Sequence, residues 1–221
     1  MWSRKTLKTE AKGVLKKSYW KIFAACAAAF IITSAANPAA DSFRKHFLNF
    51  DNSHVVNMFV RYVLIWVFIL AFKFFVSNVI KVGLFRFLLD ARQNKPSIGT
   101  LFWAFKDGRY SNTVKTMFSY NIRIFLWSLL FVAPGIIKTF QYFYVPFILA
   151  DAPDSKNALD QSSEMTKGEK GKIFVLEMSF IGWLVLGALA CGVGLLFVIP
   201  YIEITNAGLY SFAKDRIRAN G

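Results

Sequence analysis

The stretch FLWSLLFVAPGIIKTFQYFYVPFILADAPDS, Phe125–Ser155, decides how the chain is folded. It is almost wholly apolar from Phe125 to Ala150, turns polar at Asp151, and carries Pro134-Gly135 near the middle of the run. Either it is one long helix kinked at the proline, or the chain reverses there into two shorter helices. Proline interrupts the helix ladder and glycine tolerates a tight reversal, while about sixteen residues remain on each side, enough for short, nearly upright helices. The choice fixes which side of a membrane the charged residues after Ala150 face.

That a membrane is the right solvent follows from composition. The 221 residues are 55% hydrophobic and 17% aromatic, with 24 Phe and only 18% charged residues, against about 25% charged in soluble domains. The apolar residues lie in long runs rather than in the stripes of a soluble helix. The expected fold is therefore all-α, a polytopic transmembrane helical bundle forming one domain over residues 1–221. The net charge of +14, from 27 basic and 13 acidic residues, would in a soluble protein suggest nucleic acid. Here the basic residues flank apolar runs, as expected for cytoplasmic loops on anionic headgroups, and no nucleic-acid partner is expected. Cys26 and Cys191 form no disulfide framework or CxxC site. A cleaved signal peptide has to be weighed at the N-terminus, but the basic region is too long for one, so an uncleaved first helix is expected.

Residues 1–18 read as a basic amphipathic helix on the inner membrane surface. Leu7, Ala11, Val14 and Leu15 share its apolar face, and Arg4, Lys5, Lys8, Lys12, Lys16 and Lys17 are placed to contact anionic lipid. Tyr19–Ala36 makes the first span, ended by Asn37-Pro38, and Met58–Val76 the second, with Ala39–Asn57 outside the cytoplasm. The apolar pattern runs on through Ile80, Val82, Leu84, Phe85, Phe87 and Leu88, interrupted by Lys81, Arg86, Asp90 and Arg92, so that helix is expected to project past the membrane or bend along it. SIGTLFWAFKDGRY, Ser97–Tyr110, suggests a further surface helix.

Charge then answers the opening question. A reversal at Pro134-Gly135 returns residues 151–171 to the cytoplasm, and a second one at Cys191-Gly192-Val193-Gly194 returns Lys214, Arg216 and Arg218. About six membrane helices result, arranged as three hairpins within 19–150 and 172–213, with both termini cytoplasmic. Four longer spans are the alternative. The hairpins are preferred because nearly every basic residue except Arg44, Lys45, Arg61 and Lys138 then faces the cytoplasm.

Four blocks follow in order: AKGVLKKSYWKIF (Ala11–Phe23), FLWSLLFVAPGIIKTFQYFYVPFILADAPD (Phe125–Asp154), ALDQSSEMTKGEKGKIFVLEMSFIGW (Ala158–Trp183) and GVGLLFVIPYIEITNAGLY (Gly192–Tyr210). Together they resemble the bacterial integral-membrane family known as domain of unknown function 975. The resemblance implies a polytopic cell-membrane protein typical of Gram-positive bacteria. It brings no settled activity and no catalytic residues.

Enzyme signatures are missing: there is no HExxH, GxSxG, Walker-type loop or complete GxGxxG. Ser42-Phe43-Arg44-Lys45 matches SxxK without its companion motifs. His46 and His54 with Asp41 and Asp51 make a conceivable external metal site, more cheaply explained as loop polarity. No cofactor, no metal and no catalytic residue is expected. The better functional pointer is a charge within a span, which costs several kcal/mol in lipid. Glu203, with Asn206, Tyr201, Lys138 and Gln141, forms a candidate intramembrane polar site; a structural glutamate that holds helices together is the competing view. The expected function is that of a non-enzymatic envelope accessory or scaffold protein contacting anionic lipid or protein partners, with homo-oligomerisation left open. The alternative is a small transporter or exporter component using Glu203.

Overall fold

A computed structural model describes residues 3–34, 55–93, 95–106, 108–130, 132–155, 157–189 and 194–220. Among the described residues the fold is all-α, without strands, as expected. Three segments are long and apolar enough to cross a membrane: Val60–Arg92, Lys170–Leu189 and Leu195–Ala219. Asp41, Ser42, Lys45, His46, Asp51, His54 and Cys191 lie outside the described residues.

Helix α1 (Arg4–Ser34) is broken at Ser18, whose φ of −134° and ψ of 29° are not helical. The break separates the basic first half from the apolar second half. Contrary to expectation, the apolar face of the first half does not lie open to lipid: Leu7 and Ala11 are fully buried in the protein core, and Leu7 abuts Gly208.

Helix α2 (Val55–Phe72) passes through a π-helical turn, Lys73–Ser77, into α3 (Asn78–Arg92). The stretch expected to leave the membrane is the central helix of the bundle. Val79, Val82, Phe87 and Leu88 are fully buried, because several other helices pack on this one. Ile98–Phe105, expected as a surface helix, is a 3₁₀ helix packed on α3, with Leu101 and Ala104 buried. Gly83 makes that packing possible: a methyl at this position would overlap the Leu101 carbonyl.

Helices α4 (Arg109–Leu130) and α5 (Val132–Gln141) lie side by side. Residues seven apart in one continuous helix are separated by about 10 Å, whereas a methyl on Gly135 would stand 2.8 Å from Ser128 Cα. Ser128 and Gly135 are therefore brought together where α4 meets α5. Pro134 itself falls in the first turn of α5, where its missing N–H has no intrahelical acceptor to lose. Short helices follow: α6 (Val145–Asp151), α7 (Ala158–Met165), α8 (Lys170–Met178) and α9 (Ile181–Leu189). The long α10 (Leu195–Asn220) closes the bundle. Its contact with α9 runs through Gly187 and Gly194, where a methyl on Gly194 would come within 2.6 Å of Gly187 Cα.

Helices α1, α3, α6 and α10 form the core. Phe85, Phe147 and Tyr210 stack in sequence, with ring centroids 4.1 and 5.6 Å apart, and so join α3, α6 and α10. Around this core stands an outward-facing apolar surface that includes Leu129, Leu189 and Phe68, each at least 70% exposed.

Candidate functional site

Two polar regions are built into this bundle. The first is a cavity of about 490 Å³ enclosed by α1, the π-helical turn, α3, α4 and α10. Its polar lining is Ser77, Asn78, Lys81, Asn121 and Glu203, and Phe30, Phe74 and Ile199 supply apolar walls. Lys81 on α3, Glu177 on α8 and Cys26 on α1 stand near enough to Glu203 to interact with it electrostatically. No direct ion pair joins Glu203 to Lys81 among the described residues. Asn121 Nδ2 donates to its own helix, to Met117 O at 2.7 Å. The Ser77 hydroxyl is buried with no partner among the described residues. Beside the cavity Asn206 and Glu177 stand near each other, with Asn206 Oδ1 and Glu177 Oε1 buried without hydrogen-bond partners among the described residues.

The residues expected around Glu203 are thus only partly assembled. Asn206 is one turn away on α10, beside Glu177, while Tyr201 packs edge-on against Phe180, with centroids 5.6 Å apart. Lys138 and Gln141 do not line the cavity. The Lys138 ammonium lies 4.9 Å from the Trp127 ring centroid, a contact between the paired helices α4 and α5. Gln141 Nε2 donates to Ser163 Oγ at 2.7 Å. Sequence reasoning missed Ser77, Asn78, Lys81 and Asn121, which lie far from Glu203 along the chain.

The second region is made of three groups of ionic contacts. Asp151, at the end of α6, accepts from Tyr210 OH at 3.1 Å and pairs with Lys214. Arg86 reaches Asp151 at 4.0 Å and Asp90 at 3.3 Å. Arg216 pairs with Glu169 at 3.1 Å and donates to Met165 O at 2.7 Å. Lys172 meets the same Glu169 oxygen at 3.0 Å. Arg92 pairs with Glu10 at 3.0 Å, tying in the first half of α1. The end of α3, the 151–172 region, the end of α10 and the basic half of α1 are thereby gathered together.

Helix α7 supports this assembly. The chain breaks between α5 and α6 at residues 142–144, which strands backbone groups inside the protein. Ser162 Oγ donates to Gln141 O at 3.0 Å and accepts from Tyr144 N at 3.1 Å, and Thr166 Oγ1 donates to Gln141 O at 3.1 Å.

Of the six basic residues placed on lipid by sequence, Arg4, Lys5, Lys12, Lys16 and Lys17 are exposed. Lys8 turns inward instead, donating to Ser179 Oγ at 2.8 Å and lying 4.4 Å from the Phe180 ring centroid. Burial, then the nearby charges of Arg4 and Lys12, hold its ammonium below the usual lysine range. Among the described residues no group of three or more His, Cys, Asp and Glu side chains is placed to hold a metal ion.

Residues 129–216 match the family described as protein of unknown function (DUF975). The DUF975 match contains Asp151, Ser162, Thr166, Glu169, Glu203 and Lys214, the C-terminal share of both polar regions. The block Ala11–Phe23, which carried part of the resemblance, lies outside it. No curated protein and no solved structure matches the chain.

Proposed function

We propose that the chain is a multi-pass protein of the cell membrane with both termini cytoplasmic, acting without catalysis as an envelope accessory or scaffold on anionic lipid and protein partners. The ionic contacts that draw residues 4–17, 151–172 and 214–218 to one place carry this reading. The pairing of Asp151 with Lys214 and of Glu169 with Arg216 supports a common side of the bilayer for those segments. The paired helices α4 and α5, and α9 and α10, favour three hairpins over four long spans. Exposed Arg4, Lys5, Lys12, Lys16 and Lys17 then face headgroups, each contributing on the order of 1 kcal/mol.

The test of sidedness uses Glu164→Cys, an exposed position, in a chain with Cys26 and Cys191 replaced and with Ser42→Cys as the outside control. An impermeant maleimide on intact cells should label position 42 and spare 164; labelling of both would overturn the arrangement. For lipid contact, the purified chain should retain phosphatidylglycerol over phosphatidylcholine, and high salt should erase the preference.

A second reading, a small transporter component, is favoured by the cavity at Glu203. It predicts that Glu203→Gln abolishes a transport-linked phenotype at unchanged protein abundance.

A further inference from the structure

The cavity is built more like a binding site than a packing fault. Packing faults are apolar and small, whereas this space falls in the range of about 300–1,000 Å³ typical of ligand pockets. It also gathers a carboxylate, an ammonium, two amides and a hydroxyl. Ser77, 92% buried (8% exposed) and with its Oγ unpartnered among the described residues, lines the space. A buried hydroxyl without a partner is costly, and a ligand supplies the missing hydrogen bond. Ser77 ends a π-helical turn, a distortion that recurs at functional sites.

Charge then selects the ligand. A cation attracted to Glu203 meets Lys81, and an anion attracted to Lys81 meets Glu203. A molecule carrying both charges satisfies both, and the absence of a direct Glu203–Lys81 pair among the described residues leaves the two groups free to receive it. Phe30, which lines the space and is 54% exposed, marks an opening onto the outer apolar surface. We propose that this cavity binds a zwitterionic amphiphile, with its ammonium on Glu203, its anionic group toward Lys81, and its chain against Phe30, Phe74 and Ile199. The proposal rests on the membrane reading but not on which side each loop faces, nor on transport.

Cys26, buried in the wall of the cavity, provides the reporter. The full chain with Cys191→Ser, purified in dodecyl maltoside, would be titrated with lysophosphatidylethanolamine while the rate of Cys26 modification by N-ethylmaleimide is followed. The lipid should slow modification, and Glu203→Gln should weaken that protection about tenfold, the effect of losing one charge-assisted hydrogen bond. Lysophosphatidylglycerol and dodecyltrimethylammonium should protect less well. Equal protection by all three amphiphiles, or none by the zwitterion, would overturn the proposal. Free phosphoethanolamine protecting as well as the lipid would overturn the place given to the chain.

Should Glu203→Gln fail to elute as a monodisperse peak, Lys81→Met tests the same pair from the exposed partner. It should shift preference from the zwitterion to dodecyltrimethylammonium, and an unchanged preference would refute the assignment. Because the micelle assay involves neither sidedness nor the exposed basic residues, its failure would leave the proposed topology standing.

Discussion

Helix α10 carries both polar regions, Glu203 and Lys214 being separated by about 16 Å along the axis, and the two are finished in opposite ways. Around Lys214 every charged side chain described above is paired and the stranded Gln141 carbonyl is met by two hydroxyls, although Arg92 Nη1 and Glu169 Oε2 are buried without partners among the described residues. Around Glu203 the Ser77 hydroxyl, Asn206 Oδ1 and Glu177 Oε1 are buried without partners among the described residues. Saturated polar groups hold an assembly in one arrangement, whereas unsaturated ones cost stability and are retained where something else is to be bound. The first region, whose charged side chains are all paired, is read as architecture, and the second, whose unpartnered Ser77 lines a cavity, as a site.

Substitutions can break that contrast. The largest effect is expected from Gly83→Val, on the helix that both regions share, because the new side chain collides with the Leu101 backbone and cannot be relieved by a rotamer change. A loss of about 3 kcal/mol or outright failure to accumulate is expected, read as abundance and thermal stability in detergent. Next comes Asp151→Ala, which leaves Lys214, Arg86 and the Tyr210 hydroxyl without their shared acceptor. The site is partly exposed, so about 2 kcal/mol is expected, below the cost of breaking a fully buried pair. Ser162→Ala removes a donor and an acceptor at the break between α5 and α6 and should cost about 1–2 kcal/mol. Glu203→Gln should change stability least, by about 0.5 kcal/mol or less, while altering ligand protection of Cys26. A large loss of stability from Glu203→Gln with little from Asp151→Ala would reverse the contrast.

Much of the helical content was legible, because long apolar runs and their breakers are local signals. Phe125–Ala150 shows this best: α4 ends and α5 begins just before the Pro-Gly that signals a break. The central position of α3 was not legible, since Lys81, Arg86, Asp90 and Arg92 gave it the look of a surface helix. The partners of Arg86 and Arg92, Asp151 and Glu10, are remote in sequence, and pairing removes much of the cost that would keep such charges out of a core. Lys138 and Gln141 were assigned to Glu203 because all three are polar groups in apolar runs. Sequence spacing fixes depth along one helix but not which helix faces another. The basic half of α1 buries Leu7 and Ala11 in the protein, and an amphipathic pattern alone does not say whether protein or lipid covers its apolar face.

The five residues Lys73–Ser77 have one more consequence. A π-helical turn accommodates about one extra residue relative to an α-helix, so it offsets the angular phase of everything after it by up to about 100°. Upstream, Val60 and residues 63–68 leave α2 exposed on every side; downstream, Val79, Val82 and Phe87 of α3 are buried. The turn thus stands where an exposed helix passes into a buried one, and sets the rotation of the second. Deleting one residue within it would rotate α3 as a unit, carrying Lys81 away from the cavity and Arg86 away from Asp151 together.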